Sequence, residues 1–350
     1  MRGVTAGPPS TMTATDQPAS VADRARPIIV GAPVVAAHFL GEVPVFVLGE
    51  EALLFASKGD EPERVAVHGG GILAVASDGE RILTGGDDGN IVATKPDRTH
   101  EVVATDAKRR WIDHVALGPP IGPDANIAWS AGKEAFVLSR KGVPRRLEVP
   151  STVGGLAFAP KGLRLAIAHY NGATLWFPNA AQAAPERLEW KGSHVAIAFS
   201  PDGRFLVTAM QEPTLHGWRV GDGKQMRMSG YGTKVRSMSW SADGKALATS
   251  GSRELIVWPF QGKDGPMGTQ PKVLAPAPQL VCAVACHPKN DVAAVGYGDG
   301  AVLLVRIADG AEVLARRPGG EPISALAWNA AGTALAFAAE AGDAGVIELG

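Results

Sequence analysis

Two cysteines and a histidine stand close together in the last quarter of the chain, in a pattern that could bind a metal or supply a nucleophile. Cys282 and Cys286 are followed directly by His287, and thiolate and imidazole are ligands that zinc prefers. A strand separates residues four apart by about 13 Å, whereas two thiolates on one zinc ion each lie about 2.3 Å from the metal. We therefore predict two buried core cysteines, with no metal site and no cofactor.

Two glycine-rich segments could cradle a phosphate group, but their context favours hairpin turns. The segments are GGDDG (85–89) and GYGDG (296–300). A phosphate loop opens a helix whose N-terminal amides face the anion, and no helical pattern follows either segment. Asp-Gly instead supplies the positive φ angles that tight hairpins require.

Other catalytic motifs do not occur in the sequence. The eight histidines show no HExxH spacing, and neither GxSxG nor GxxxxGK[ST] is present. We therefore expect no enzymatic activity. An enzyme, hydrolytic or metal-dependent, whose residues converge on a central channel from distant parts of the chain stays open as an alternative, because sequence spacing does not reveal such a site.

Composition and charge restrict the partners and the location. Lys plus Arg total 34 against 35 for Asp plus Glu, so no long-range field attracts nucleic acid or anionic lipid. Two cysteines provide no disulfide framework and favour a reducing, cytoplasmic location. The uncharged run 322–339 contains Asn329, Gly332 and Thr333 at its centre and predicts two strands around a turn rather than a membrane span. Residues 1–25, rich in Ser, Thr, Pro and Ala, predict a disordered tail.

One pattern returns along the rest of the chain: an apolar strand, a turn with Gly, a second apolar strand, a tight polar turn and a third strand. Its clearest copies begin at Val153, His194 and Val235 and carry the turns FAPKG, FSPDG and WSADG. The turn landmarks stand 38 to 46 residues apart and define eight units: Gly41, Gly79, Gly118, Gly162, Gly203, Gly244, Asn290 and Gly332.

A fourth short strand between successive copies, such as ERLEW (186–190), makes each unit a four-stranded meander. First strands carry large apolar residues two positions apart, such as Ile197 and Phe199, which share one face and need cover. One such sheet cannot bury both faces alone, whereas radially stacked sheets cover one another. The last unit supplies only three strands, and we expect the segment 26–31 (RPIIVG) to complete it and close the ring.

In these features, residues 26–350 resemble the WD-repeat family, through the FSPDG-like turns and the third-strand tryptophans Trp176, Trp218 and Trp258. The resemblance implies an all-β fold, a closed β-propeller of four-stranded antiparallel blades. Eight blades are preferred, and seven, the usual number in the family, is the alternative. Family members often link each blade through a buried Asp-His-Ser/Thr-Trp hydrogen-bond set. No blade here contains all four residues, so apolar stacking is expected to hold the ring.

The resemblance also implies a function. In the family, the connections before the first strand and between the second and third carry most recognised contacts, which predicts a non-catalytic protein–protein interaction scaffold. We expect a monomeric propeller within a complex, with an unidentified protein partner and neither nucleic acid nor membrane. A structural subunit of a larger complex is a further alternative. The predicted protein-binding face consists of Arg110, Trp111, Tyr170, Met210, Gln211, Lys234, Arg253 and Tyr297.

Overall fold

The computed structural model describes residues 19–120, 125–139, 142–180 and 183–350. Within these residues, the regular structure is β-strand apart from one turn of 3-10 helix at Ala22–Arg24. In chain order the strands are β1 (Ala19–Ser20), β2 (Ala25–Ile29), β3 (Val34–Leu40), β4 (Val43–Leu48), β5 (Ala52–Phe55), β6 (Glu63–Ala66), β7 (Ile72–Ser77), β8 (Ile82–Gly86), β9 (Asn90–Thr94), β10 (His100–Thr105), β11 (His114–Leu117), β12 (Ile127–Ala131), β13 (Glu134–Leu138), β14 (Arg145–Glu148), β15 (Gly155–Phe158), β16 (Leu165–Trp176), β17 (Glu186–Phe199), β18 (Phe205–Met210), β19 (Leu215–Arg219), β20 (Gln225–Met228), β21 (Met238–Trp240), β22 (Ala246–Thr249), β23 (Leu255–Pro259), β24 (Lys272–Leu274), β25 (Val281–Cys286), β26 (Val292–Tyr297), β27 (Val302–Arg306), β28 (Glu312–Arg316), β29 (Ile323–Trp328), β30 (Ala334–Ala339) and β31 (Asp343–Glu348).

Consecutive strands pair antiparallel, so each repeat folds into a four-stranded blade. Strands β3–β6, β7–β10 and β11–β14 form the first three blades. The next six strands, β15–β20, form one continuous sheet because two long strands each serve two partners. In β16, residues 165–168 pair with β15 and residues 172–175 pair with β17. The second half of β17, residues 194–199, then pairs with β18.

This six-stranded sheet therefore contains two successive meanders, the fourth and fifth blades. Strands β21–β24 form the sixth blade, β25–β28 the seventh, and β29–β31 with β2 the eighth. Within the described residues, the continuous hydrogen-bonded sheets number seven, the count given above as the alternative, and one of these sheets holds two of the eight repeat units.

The hydrophobic core lies between the blades. The described apolar residues form eight clusters, and each is shared by two neighbouring blades. Leu175 of the fourth blade, for example, packs in one cluster with Leu206 of the fifth. A further cluster joins Val346 of the last blade to Phe46 of the first. The blades therefore form a closed ring, stabilised by burial of apolar surface on both sides of each sheet.

The N-terminal segment closes the ring, as the sequence predicts. Strand β2 pairs antiparallel with β31, with Ile28 opposite Ala344. Upstream of it, β1 adds a parallel fifth strand to the outer edge of the seventh blade, where Ala19 lies opposite Val313. The segment thus bridges the outer edges of the seventh and eighth blades and leaves fewer unpaired backbone groups there.

The predicted tail needs correction over its last residues. Residues 1–18 lie outside the described residues. Residues 19–25, assigned above to a disordered tail, instead form β1, the 3-10 turn and the start of β2. They are ordered because Val21 and Ala25 pack against the apolar cluster between the seventh and eighth blades.

The antiparallel meanders give the ring two rims. The upper rim holds the connections between blades and the turns between second and third strands, and the lower rim holds the other turns. At the lower rim, the first turns of the fourth, fifth and sixth blades touch one another. A β-carbon added at Gly203 would lie 3.2 Å from Pro160, and one added at Gly244 would lie 3.3 Å from Pro201. Each proline therefore packs against the glycine of the next turn.

Buried polar networks add to the apolar stacking. In the second blade, His68 Nδ1 lies 3.1 Å from the Asp88 carboxylate and His68 Nε2 lies 2.8 Å from the Thr84 hydroxyl. These are three of the four residues of the hydrogen-bond set described above. The apolar stacking expected from the sequence is therefore supplemented by buried hydrogen bonds in this blade, although the tryptophan of the set is missing. The sequence pattern did not indicate this role for His68, because the residue follows the outer strand of the preceding blade.

In the sixth blade a tyrosine takes the place of the histidine. The Trp258 indole donates a 2.6 Å hydrogen bond to the Tyr231 hydroxyl, and that hydroxyl lies 2.9 Å from the Thr249 hydroxyl. Burial raises the pKa of Tyr231 to about 12, so the phenol stays protonated and can donate as well as accept. The substitution preserves the link between the second and third strands without a histidine.

Candidate protein-interaction surface

Two large aromatic side chains stand exposed on the upper rim of neighbouring blades. Trp111, in the connection that enters the third blade, is 65% exposed, and Tyr170, at the turn of the fourth blade, is 54% exposed. Aromatic side chains of this size normally bury most of their surface on folding. Their position on turns gives contact area to a partner without a cost to the core.

Arg110 holds the loop that presents Trp111. Its guanidinium pairs with both oxygens of the Asp106 carboxylate, at 3.1 and 2.6 Å, and also with Glu134 of β13. The hydrogen bonds that Arg110 donates to the Asp106 carboxylate hold the pKa of Asp106 below its ordinary value and raise the pKa of Arg110. Arg110 is therefore half-buried and tied to the third blade, so its main effect is to position its neighbour.

A wide cleft lies beside Tyr170. Its volume is about 920 Å³ and its wall includes Tyr170, Trp190, Arg187, Lys191 and Glu189. The Tyr170 amide donates to the Ser151 hydroxyl at 2.8 Å, which fixes the turn against the connection that enters the same blade. The wall of the cleft thus combines two aromatic side chains with two cations and one anion. This combination suits the polar surface of a peptide.

Asn171 shapes the turn that carries Tyr170. Its φ of +67° lies in the left-handed region, where asparagine is tolerated better than most residues. Its side-chain oxygen also accepts a hydrogen bond of 3.2 Å from the Gly192 amide. The Asn-Gly pair therefore gives a tight hairpin and ties it to the connection that enters the next blade.

Gln211, Lys234 and Arg253 are the other predicted face residues that the structure leaves accessible. The Lys234 ammonium donates a 2.9 Å hydrogen bond to the Gln211 side-chain oxygen, and Arg253 is exposed on the turn of the sixth blade. Gln211 lies in the turn of the fifth blade, and Lys234 lies in the connection into the sixth blade. The two residues therefore extend the face with polar groups.

Two predicted face residues are buried instead. Met210 is 2% exposed and Tyr297 is 1% exposed, because each is the last residue of a second strand rather than part of the turn that follows. The Tyr297 hydroxyl donates a 2.7 Å hydrogen bond to the Ala275 carbonyl, and burial raises its pKa. The expectation that these two side chains are exposed on the face was therefore wrong.

The two cysteines occupy different surroundings. The Cys286 thiol donates to the Ser239 carbonyl at 3.4 Å, and burial raises its pKa to about 11, so it stays protonated and unreactive at neutral pH. Cys282 is only half-buried and lines a cleft of about 440 Å³ with Arg236, Ser324 and Glu340. Cys286 packs beside the core as expected, but Cys282 does not. Among the described residues, no group of three or more His, Cys, Asp or Glu side chains is arranged to hold a metal.

One aromatic cluster near the cleft was not predicted from the sequence. The Trp190 ring stacks on His216 with centroids 3.9 Å apart, and His216 meets Trp218 edge to face at 4.7 Å. Burial lowers the pKa of His216 to about 3, so this imidazole is neutral. The two-residue spacing of His216 and Trp218 along β19 was the only signal in the sequence, because the stacking partner lies in another blade.

Comparison with known proteins bears on the fold. The family model described as "WD domain, G-beta repeat" matches residues 223–259. This segment spans the outer strand of the fifth blade and the first three strands of the sixth, within a ring of four-stranded antiparallel blades. The chain is a β-propeller, and this segment of it is similar to a WD repeat.

A solved structure has the same fold as this propeller. It is the crystal structure of the computationally designed Ika8 protein, with a TM-score of 0.71 and 15% sequence identity, covering 91% of this chain and 96% of that one. At this identity the likeness concerns the fold alone. No curated protein matches the chain significantly. Within the described residues, no helix has the length and apolar character needed to cross a bilayer.

Proposed function

We propose that this WD-repeat propeller is a non-catalytic scaffold that binds a protein partner on its upper rim, at the third to fifth blades. The WD-repeat family and the propeller fold support an interaction role of the scaffold kind. The observation that carries the finer proposal is the exposure of Trp111 and Tyr170 on neighbouring blades. Trp and Tyr are enriched among the residues that dominate protein–protein binding energy.

The surroundings of the two aromatics support the same surface. The ion pairs of Arg110 with Asp106 and Glu134 hold the Trp111 loop in place, so little side-chain and loop entropy is lost on binding. Arg187 and Lys191 supply cations in the cleft beside Tyr170, which suits a partner segment that presents acidic and apolar residues together. A cytoplasmic location is part of the same proposal and rests on the two free cysteines.

Loss of the two aromatic anchors tests the proposal. Partners are captured with the wild-type chain and with the double variant Trp111→Ala, Tyr170→Ala, and each captured protein is then titrated as a purified protein. We expect the double variant to bind at least about thirtyfold more weakly, since an anchor residue contributes about 2 kcal/mol or more.

Met267→Ala provides the matched control. Met267 is an exposed apolar residue, 43% accessible, and lies between β23 and β24, at the lower rim. Its substitution removes exposed apolar area on the opposite side of the ring and leaves binding unchanged if the proposal holds. Full retention of every partner by the double variant, or an equal loss with Met267→Ala, would place the interaction elsewhere.

A further inference from the structure

The run of proline–glycine contacts along the lower rim ends between the sixth and seventh blades. From the fourth to the sixth blade, the proline of each first turn packs against the glycine of the next, as Pro160 does with Gly203. The sixth blade has Ala242 at the proline position, and the seventh has Asn290 at the glycine position. A cleft of about 430 Å³ opens here, and both substituted residues line it. The break in the turn pattern therefore coincides with the cavity.

Three lysines from separate elements surround this lower-rim cleft. Lys245 follows the turn of the sixth blade, Lys272 begins β24, and Lys289 lies in the turn of the seventh blade. The Lys272 ammonium donates hydrogen bonds of 2.8 and 2.9 Å to two carbonyls, those of Ile307 and Ala308. These neutral acceptors fix its position across the blade boundary without cancelling its charge.

The charge balance of the cleft is positive. Lys245 pairs with Asp243 at 3.3 Å, whereas within the described part of the chain the Lys289 ammonium forms no ion pair. Asp291 also lines the cleft. Three lysines against two aspartates leave one positive charge, held in a recess that is partly walled by apolar groups of Val257 and Pro259. A recess of this kind favours an anion with a single charge.

We propose that the lower-rim cleft binds a carboxylate side chain on an acidic segment of a protein partner. A carboxylate carries one negative charge and matches the surplus of the cleft, whereas a phosphate monoester carries about −1.5 to −2 and would face Asp243 and Asp291. The cleft and the Trp111–Tyr170 surface lie on opposite rims. This inference goes beyond the proposed function: the ring holds a second partner, so both can be bound at once.

Lys289→Met is the main test, because Lys289 lies on an exposed turn and its ammonium forms no ion pair within the described residues. The matched control is Lys161→Met, since Lys161 occupies the same position of the FAPKG turn in the fourth blade. The probe is a short fluorescein-labelled peptide of alternating Gly and Glu, compared with its Gly-Gln counterpart and with a Gly-phosphoserine peptide. Binding to the full chain is followed by fluorescence anisotropy at low and physiological salt.

We expect the Glu peptide to bind more tightly than both other peptides. Lys289→Met should weaken it by about threefold to tenfold, the range between an exposed and a partly desolvated charged hydrogen bond, while Lys161→Met leaves it nearly unchanged. Lys272→Met should weaken binding further, and thermal unfolding shows whether that variant stays folded. Equal binding of the Gln peptide, equal effects of Lys161→Met and Lys289→Met, or tighter binding of the phosphoserine peptide would each overturn the proposal. Because no upper-rim residue is changed, these outcomes are independent of the Trp111 and Tyr170 experiment.

Discussion

The Trp258 indole and the Tyr231 hydroxyl form a buried hydrogen bond of 2.6 Å, at the place where related blades use a histidine. Tyr231 lies in the connection into the sixth blade and Trp258 in its third strand, so the bond joins two segments that are far apart in sequence. If one partner of such a buried pair is removed, the other is left without a hydrogen bond, and the free energy of unfolding falls.

Tyr231→Phe is expected to lower the free energy of unfolding by about 1–3 kcal/mol. The change removes one oxygen and leaves the Trp258 N–H without its acceptor in a buried site. Urea denaturation followed by tryptophan fluorescence measures the loss. Tyr170→Phe, at the exposed tyrosine, is the matched control and should change stability by less than about 0.5 kcal/mol; similar losses for both variants would contradict the role of the buried bond.

The stability of the ring should fall as the pH drops below about 6.5, the unfolded pKa of histidine. His216 has a pKa lowered to about 3 by burial and is stacked on Trp190, so between these values the unfolded chain binds a proton that the folded chain does not. Stability is then fully present above about 6.5 and is lost towards pH 3, by up to about 1.4 kcal/mol per pH unit for this one group.

The His216→Phe variant isolates this contribution. It should lower the slope of unfolding free energy against pH without removing it, because burial also lowers the pKa of four other histidines, namely His38, His114, His169 and His194. His100→Phe, at an exposed histidine, should leave the slope unchanged. The same slope for wild type and His216→Phe, measured by urea denaturation from pH 8 down to pH 5, would contradict the assignment.

Gly203→Ala is expected to destabilise the fold by at least about 1–2 kcal/mol, the cost of a left-handed conformation for a residue with a side chain. Gly203 has a φ of +76°, and an added β-carbon would press on Pro160 at 3.2 Å. Gly221→Ala is the control, because no atom lies within 4 Å of an added β-carbon there. Thermal unfolding should separate the two variants clearly; an equal melting temperature would mean that the turn contact adds nothing.

Asp88→Ala should destabilise the second blade, because the His68 Nδ1 and the Asn90 amide lose their shared acceptor. The expected loss is about 1–3 kcal/mol. Hydrogen exchange should rise first at β8 and β9, which the network joins to the connection before β7. Asp87→Ala, one residue earlier and half-buried as well, is the control, and comparable exchange in both variants would argue against the network.

The repeat period and the strand order follow from local sequence. Alternation along strands such as residues 194–199 sets the buried face, and turns such as FSPDG set the reversals, because a positive φ at Gly203 is open mainly to glycine. The pairing of residues 25–29 with β31 was also predictable, since the last unit lacked a strand and the N-terminal segment had none to join.

The tertiary structure decided which side chains are exposed and which polar groups contact one another. Met210 and Tyr297 looked like turn residues, but where a strand ends depends on pairing with the next strand, and one residue of difference moves a side chain from the surface to the core. The contact of Trp190 with His216 and the cleft between Ala242 and Asn290 arise between blades. A local pattern carries no information about such distances, because they depend on how each blade packs against its neighbour around the ring.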